Sequence, residues 1–389
     1  MTVNQGASRR SWEIDALRGL MLVLMTLTHL PTRLTDPLGQ PFGFVSAAEG
    51  FVLLSAYMAG LVYSRLAYRE GIVAMERAFW KRAFKVYLIQ AAILFFLFTV
   101  ITAVGLQIDQ PAVKHLVSFY LAQPLEGFVF GLLLVYEPAL LDILPMYIFF
   151  LLLSPWVLAL GMRHGWWGVL AVSAAVWALA QYGLAEWLHL QAERWLHLPV
   201  PYGDTGSFNT FAWQLLWTAG LWMGASRNAP DAQPFRFPTW LLALAAALAL
   251  YAFWWRHHGL HGQAPFGGDV QHNLLFDKWL LGPLRVVNLV VLGILTIRFG
   301  PWLARRIPRQ RWLETMGAAS LPVFCTHLVA VLLVLATWGD SQTARPWWGD
   351  GLLLAAVIGA MWGVGRFTQK ADATPPPEEE EAAPVPGAA

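Results

Sequence analysis

Ten runs of about twenty mostly apolar residues govern what this chain can become. They lie near 14–31, 44–64, 86–106, 139–161, 166–187, 209–226, 238–255, 284–300, 317–338 and 349–367. A helix of roughly 20 apolar residues matches the ~30 Å hydrocarbon core of a bilayer. Nearly every gap between the runs carries Pro, Gly or clustered charge, the usual marks of loops. The 389-residue chain is only 13% charged, about half the share of a soluble domain. That excludes a disordered chain, a nucleic-acid binder and an ordinary soluble enzyme. Its 21 Trp suit the aromatic belts of a membrane protein. A single cysteine, Cys325, leaves no intrachain disulfide and no Cys-based metal site. The expected fold is an all-α integral membrane protein, a bundle of about ten transmembrane helices. Residues 1–370 would form one transmembrane domain.

Charge sets the expected orientation. With ten spans, eighteen of the 26 Lys and Arg fall on the side of the N-terminus. Six fall on the other side: Arg33, Lys114, Arg194, Arg256, Lys278 and Arg345. Cytoplasmic loops are the ones enriched in Lys and Arg, so both termini are expected to be cytoplasmic. A further apolar stretch, 116–136, carries Gln123, Pro124, Glu126 and Gly127. Letting it span would divide the charges evenly, so 107–138 is expected to be an external re-entrant or interfacial segment. Glu13, Asp15 and Arg18 stand where a cleavable signal peptide needs a basic region and an unbroken apolar run, so the first span is expected to be retained. Residues 371–389, rich in Pro, Glu and Ala, cannot bury enough apolar surface to offset ordering entropy, and a disordered cytoplasmic tail is expected.

Ionisable groups inside a membrane are costly and mark partners or passages. The first run holds Asp15, Arg18 and His29. Eleven positions on a helix is about 20° beyond three turns, so Arg18 and His29 share a face, separated by about 16 Å of rise. Asp15 falls on the same stripe. An ordinary account is available too: an Asp15–Arg18 pair at the membrane edge, with His29 capping the span before Pro31. Glu49 opens the second run, level with His29 if the first two spans are antiparallel. There it could fix an imidazole tautomer, or simply favour a helix start. Ala56 and Gly60 form a small-xxx-small face suited to helix packing. His327, in the ninth run, is expected near mid-membrane, either sharing a site with His29 or bonded to a neighbouring helix.

Two basic clusters, Arg65 to Lys85 and Arg305 to Arg311, fit positive-inside topology and also docking of a phosphate-rich cytosolic ligand. The outer stretch 256–283 contains His257, His258, His261, Asp269, His272 and Asp277, without the fixed spacing of a metal motif. No metal site is assigned. No GxSxG, Walker or GxGxxG motif is present.

The run Glu13-Ile14-Asp15-Ala16-Leu17-Arg18-Gly19 followed by His29 resembles the Arg-x10-His signature of the membrane acyltransferase type 3 superfamily. Ala48–Ser55, Phe208–Leu215 and Leu281–Asn288 more specifically resemble the OpgC family, over residues 10 to 367. Ala56 stands where that family has Gly, and Thr210 where it has Pro. The resemblance implies an enzyme of the bacterial inner membrane that moves an acyl group from cytosolic acyl-CoA, with succinyl-CoA the expected donor, to a periplasmic glucan or other envelope glycan. It implies no bound cofactor. Carried over by position, Arg18 and His29 are the signature pair, and Glu49, Arg82, Gln214, Arg285 and His327 line the site.

The chemistry expected from these residues has His29 as general base on a sugar hydroxyl that attacks the thioester. Glu49 or Asp15 would orient it or balance charge. Arg18 would hold the donor, and Arg285 a succinyl carboxylate or glucan group. A transient acyl-His is the alternative chemistry. Two other classes remain open on sequence alone: a transporter or flippase for a glycan or lipid-linked sugar, and a non-catalytic scaffold of glucan synthesis.

Overall fold

The computed structural model describes residues 12–373 except 230, 231, 234, 259–265, 267, 343 and 344. Its regular elements are all helical; no strand occurs among the described residues. The long helices are α1 (Trp12–His29), α2 (Ala47–Glu70), α3 (Ile72–Phe96), α4 (Ile143–His164), α5 (Trp166–Gln181) and α6 (Leu184–Leu196). After them come α7 (Thr210–Ala225), α8 (Thr239–His258), α9 (Pro283–Arg306), α10 (Arg311–Ala318), α11 (Ser320–Trp338) and α12 (Trp347–Ala373). Among the described residues, seven helical stretches are long and apolar enough to cross a membrane, or eight if the bent pair α5–α6 counts as one.

The shortfall against ten apolar runs has physical causes. Helix α1 is 18 residues long and begins with Glu13, Asp15 and Arg18, so its first turns are polar. Helix α7 has 16 residues, about 24 Å of rise. It lies inside the bundle, with Ala212, Trp213, Leu221 and Trp217 all at most 3% exposed, and need not face lipid along its whole length. The run read as 166–187 stops at Gln181. Gly183, at φ +83°, turns the chain, and α6 leaves at 74° to α5. Conversely, α2 and α3 outrun their apolar stretches. Helix α3 continues through a short π-helical segment, Leu97–Ile101, to Gln107, 36 residues in all. The basic residues 65–85, read from sequence as a loop, are therefore helical, broken only at Gly71. Lys and Arg are good helix formers, but an apolarity count does not see them.

Segment 107–138 forms three short helices, Pro111–Leu116, Ser118–Ala122 and Pro124–Leu132, each too short to span. Phe98 of the π segment stacks on both Tyr120 and Tyr136. The Tyr87 hydroxyl donates to the Leu132 carbonyl at 3.1 Å. The segment thus packs back along α3, with Tyr120 and Tyr136 level with Phe98 and Leu132 beside Tyr87. Of the tail expected at 371–389, residues 371–373 continue α12 and the remainder lies outside the described residues.

Glycines let backbones touch. A Cβ at Gly317 of α10 would lie 1.8 Å from the Asp15 carbonyl oxygen, and one at Gly19 of α1 2.1 Å from that of Leu313. Helices α2 and α7 run parallel. Gly220 meets Leu53 and Ala56, Gly224 meets Tyr57 and Leu61, and Gly60 meets Leu221. The Ala56–Gly60 face packs as its spacing implied. At one end Asp350 of α12 binds Arg33 at 3.0 Å and Arg345 at 3.2 Å. At the other, Asp15 near the start of α1 and Gln369 near the end of α12 line one cavity of about 400 Å³. Both ends of the described chain therefore lie at the same end of the bundle.

Gly317→Ala is expected to destabilise the protein by about 1–3 kcal/mol through overpacking. Gly363→Ala, at a position where a new Cβ meets nothing within 4 Å, should be neutral or slightly stabilising. Thermal unfolding of the two variants in detergent checks this.

Candidate functional site

His29 closes the last turn of α1, and His327 lies in the second turn of α11. Two contacts in the same order join these helices. Arg18 donates to the Ser320 hydroxyl, and His29 Nδ1 lies 3.0 Å from His327 Nε2. The helices are therefore parallel, and the two imidazoles meet at one depth, ring centroids 5.1 Å apart. His327 is fully buried, and among the described residues its Nδ1 has no hydrogen-bond partner. One ring must donate across the contact and the other accept. His29 Nε2 is left as the nitrogen available to the space beside it.

That space is a cavity of about 230 Å³ at the end of the bundle opposite Asp15. Helix ends build it: the exit of α1, the starts of α2, α4 and α7, and the loop before α9. His29, Ser46, Asp142, Ser207, Lys278 and Trp279 supply its polar and aromatic lining. Asp142, 3% exposed, precedes α4 and accepts from the Ser207 backbone N–H at 3.0 Å. Beside it stands Glu137, against Gly206, whose φ of +88° and lack of a Cβ leave room for the carboxylate. Burial, and then the Asp142 charge, push the Glu137 carboxyl well above its ordinary value. Lys278 Nζ sits 4.5 Å from the centroid of the Trp279 ring and 5.6 Å from that of Phe208. Burial lowers its ammonium from the ordinary value, with the Glu49 charge opposing that shift.

The pairing of Glu49 with His29, expected from their shared depth, is not formed among the described residues. Glu49 Oε1 accepts from Arg285 Nε at 2.9 Å and from Arg285 Nη2. Its Oε2 accepts from the Ser46 backbone N–H at 3.0 Å and from the Ser46 hydroxyl, a capping box at the start of α2. Both partners of the ion pair are at most 2% exposed. A guanidinium fork satisfies a carboxylate better than one imidazole nitrogen can. Arg285 thereby joins α9 to α2, with two of its three nitrogens engaged by Glu49.

The remaining expected residues lie elsewhere. Asp15 and Arg18, 3.6 Å apart, are at the opposite end of α1 from His29. Gln214 faces α5, where its amide exchanges hydrogen bonds with Ser173 at 2.7 and 2.8 Å. It is not among the cavity's lining residues. Arg82 is half-buried on α3. Among the described residues no group of three or more His, Cys, Asp or Glu could hold a metal. His261 lies outside the described residues, and His272 pairs with Asp269 at the surface. Sequence reasoning passed over Asp142, Ser207 and Lys278. Asp142 was legible by the criterion that picked Asp15 and His29, an ionisable group in an apolar run. Lys278 had been counted only as an outer positive charge.

Arg285→Met should cost about 3–5 kcal/mol, because it strands a buried carboxylate. Adding Glu49→Gln should recover most of that loss. A double-mutant cycle by thermal unfolding measures both effects.

A family model described as OpgC protein matches residues 10–373, nearly the whole chain, so the chain belongs to the OpgC family. Searches of curated proteins and of solved structures find no match to it.

Proposed function

We propose that this OpgC-family chain is a membrane O-acyltransferase. It moves an acyl group, succinyl by family resemblance, from cytosolic acyl-CoA to a hydroxyl of a periplasmic glucan or another envelope glycan. In this reading ten helices cross the bacterial inner membrane and both termini are cytoplasmic. The cavity at Asp15 then faces the cytosol and the cavity at His29 faces the periplasm. The observation that carries the reading is the His29–His327 pair, with His29 on the wall of a small cavity.

In the mechanism, His29 Nδ1–H donates to His327 Nε2, which leaves His29 Nε2 basic. That nitrogen takes the proton of the acceptor hydroxyl as its oxygen attacks the thioester carbonyl carbon. The carbon–sulfur bond then breaks, and the proton passes to the departing thiolate. His327 is a positioning residue: it sets the tautomer and ring plane of His29. Glu49 and Arg285 act one step further back, by holding α2 and α9 around the cavity. Arg18 ties α1 to α11 through Ser320 on the donor's side. Arg82 and the other basic residues at the cytosolic ends of α2 and α3 suit the phosphates of the donor.

His29→Ala is expected to lower transfer by about 10²-fold or more while insertion and yield are unchanged. His327→Ala should lower kcat less and alter its pH profile. The measurement is mass spectrometry of glycans incubated with acyl-CoA and membranes holding the full chain. Wild-type product from His29→Ala would falsify the base role, and glycan movement without any covalent mass increment would favour a transporter instead.

A further inference from the structure

The two arginines buried at the outer end are each matched with a carboxylate, whereas the half-buried Lys278 of the same end is not. Arg285 is bound by Glu49 and Arg345 by Asp350. Lys278 lines the His29 cavity, yet among the described residues its ammonium makes no hydrogen bond and no ion pair. Asp142 and Glu49 lie within its field, but neither comes within ion-pair distance. Both are already engaged, Asp142 by the Ser207 amide and Glu49 by Arg285. A half-buried ammonium resting on aromatic faces has lost part of its hydration, which the rings replace incompletely. A ligand anion restores it.

The shape of the cavity restricts that ligand. At about 230 Å³ it is below the roughly 300–1,000 Å³ typical of sites for drug-sized ligands, so it holds a short chain rather than an oligosaccharide. Met25, Ala47 and Leu140 give it an apolar wall suited to methylenes. His29 and Lys278 face the same space and can address the two ends of such a chain.

We propose that Lys278 forms an anion subsite in this cavity that takes the free carboxylate of a dicarboxylic acyl group, and so selects a short diacid over a neutral acyl chain. The proposal rests on the acyltransferase reading and assigns to Lys278, rather than to the Glu49-bound Arg285, the contact with that carboxylate. During transfer the hydroxyl oxygen bonds to the thioester carbon and the carbon–sulfur bond breaks. The hydroxyl proton travels through His29 to the thiolate. The distal carboxylate stays ionised against Lys278 throughout.

The test uses the full chain in two arms. In the first, the wild type, Lys278→Met and Lys278→Arg are given succinyl-CoA or the uncharged four-carbon donor butyryl-CoA, with the same neutral glucan. Lys278→Met should lose succinyl transfer by about tenfold or more, the scale of one charge-assisted hydrogen bond, and keep or gain butyryl transfer. Lys278→Arg should retain the preference for succinyl. Equal loss with both donors, or loss with neither, overturns the subsite. The second arm is independent of turnover. Monomethyl succinate, but not uncharged dimethyl succinate, should raise the Tm of the wild type and of Lys278→Arg, and not that of Lys278→Met. An equal shift in Lys278→Met, or no shift in the wild type, also overturns it. If the wild type transfers neither acyl group but the charge-dependent Tm shift is present, the enzyme assignment fails and the subsite stands.

Discussion

An ion pair sealed inside an apolar bundle, Glu49 with Arg285, organises the end of this protein that holds His29. Both groups are buried there, so their hydrogen bonds come from each other and, for Glu49, from Ser46. The pair also fixes direction. Glu49 belongs to a capping box at the start of α2, and Arg285 to the first turn of α9. The two helix starts are held together, and Asn288, one turn further on, receives the Phe44 N–H at 2.8 Å. The loop carrying Lys278 and Trp279 runs directly into α9, so its position follows from the same anchor.

A second constraint acts at the other end. Gly19 and Gly317 bring α1 and α10 into backbone contact, and α10 leads into α11 after a single residue. Placing α10 against α1 therefore also places α11, and with it His327. The imidazole contact is the far consequence of glycines about three turns away. It is reached through two parallel helices rather than through any local motif.

Much of this could be read from the residues, within definite limits. Apolar runs locate helices well, because burial in lipid is what they report. They misjudge helix ends: α2 and α3 extend through charged turns, and α5 stops at a glycine inside an apolar stretch. Within one helix, angular arithmetic placed Arg18 and His29 on one stripe, since both share a backbone. Between helices it had nothing to measure, so Glu49 was matched to the imidazole at its depth and not to Arg285. The partners there are 236 residues apart, and those of the imidazole pair 298 apart. Gln214 shows the remaining limit: its place in a family-like stretch did not reveal that its amide faces α5.

The separation of the two histidines has a consequence for biosynthesis. Chains leave the ribosome at about 5–20 residues per second. With 298 residues between them, His29 waits roughly 15–60 seconds at that pace for its neighbour to be made. Until α11 is in place, the first helix carries an imidazole with nothing to orient it. A prematurely terminated product therefore lacks the imidazole pair, which forms only once α11 has been made.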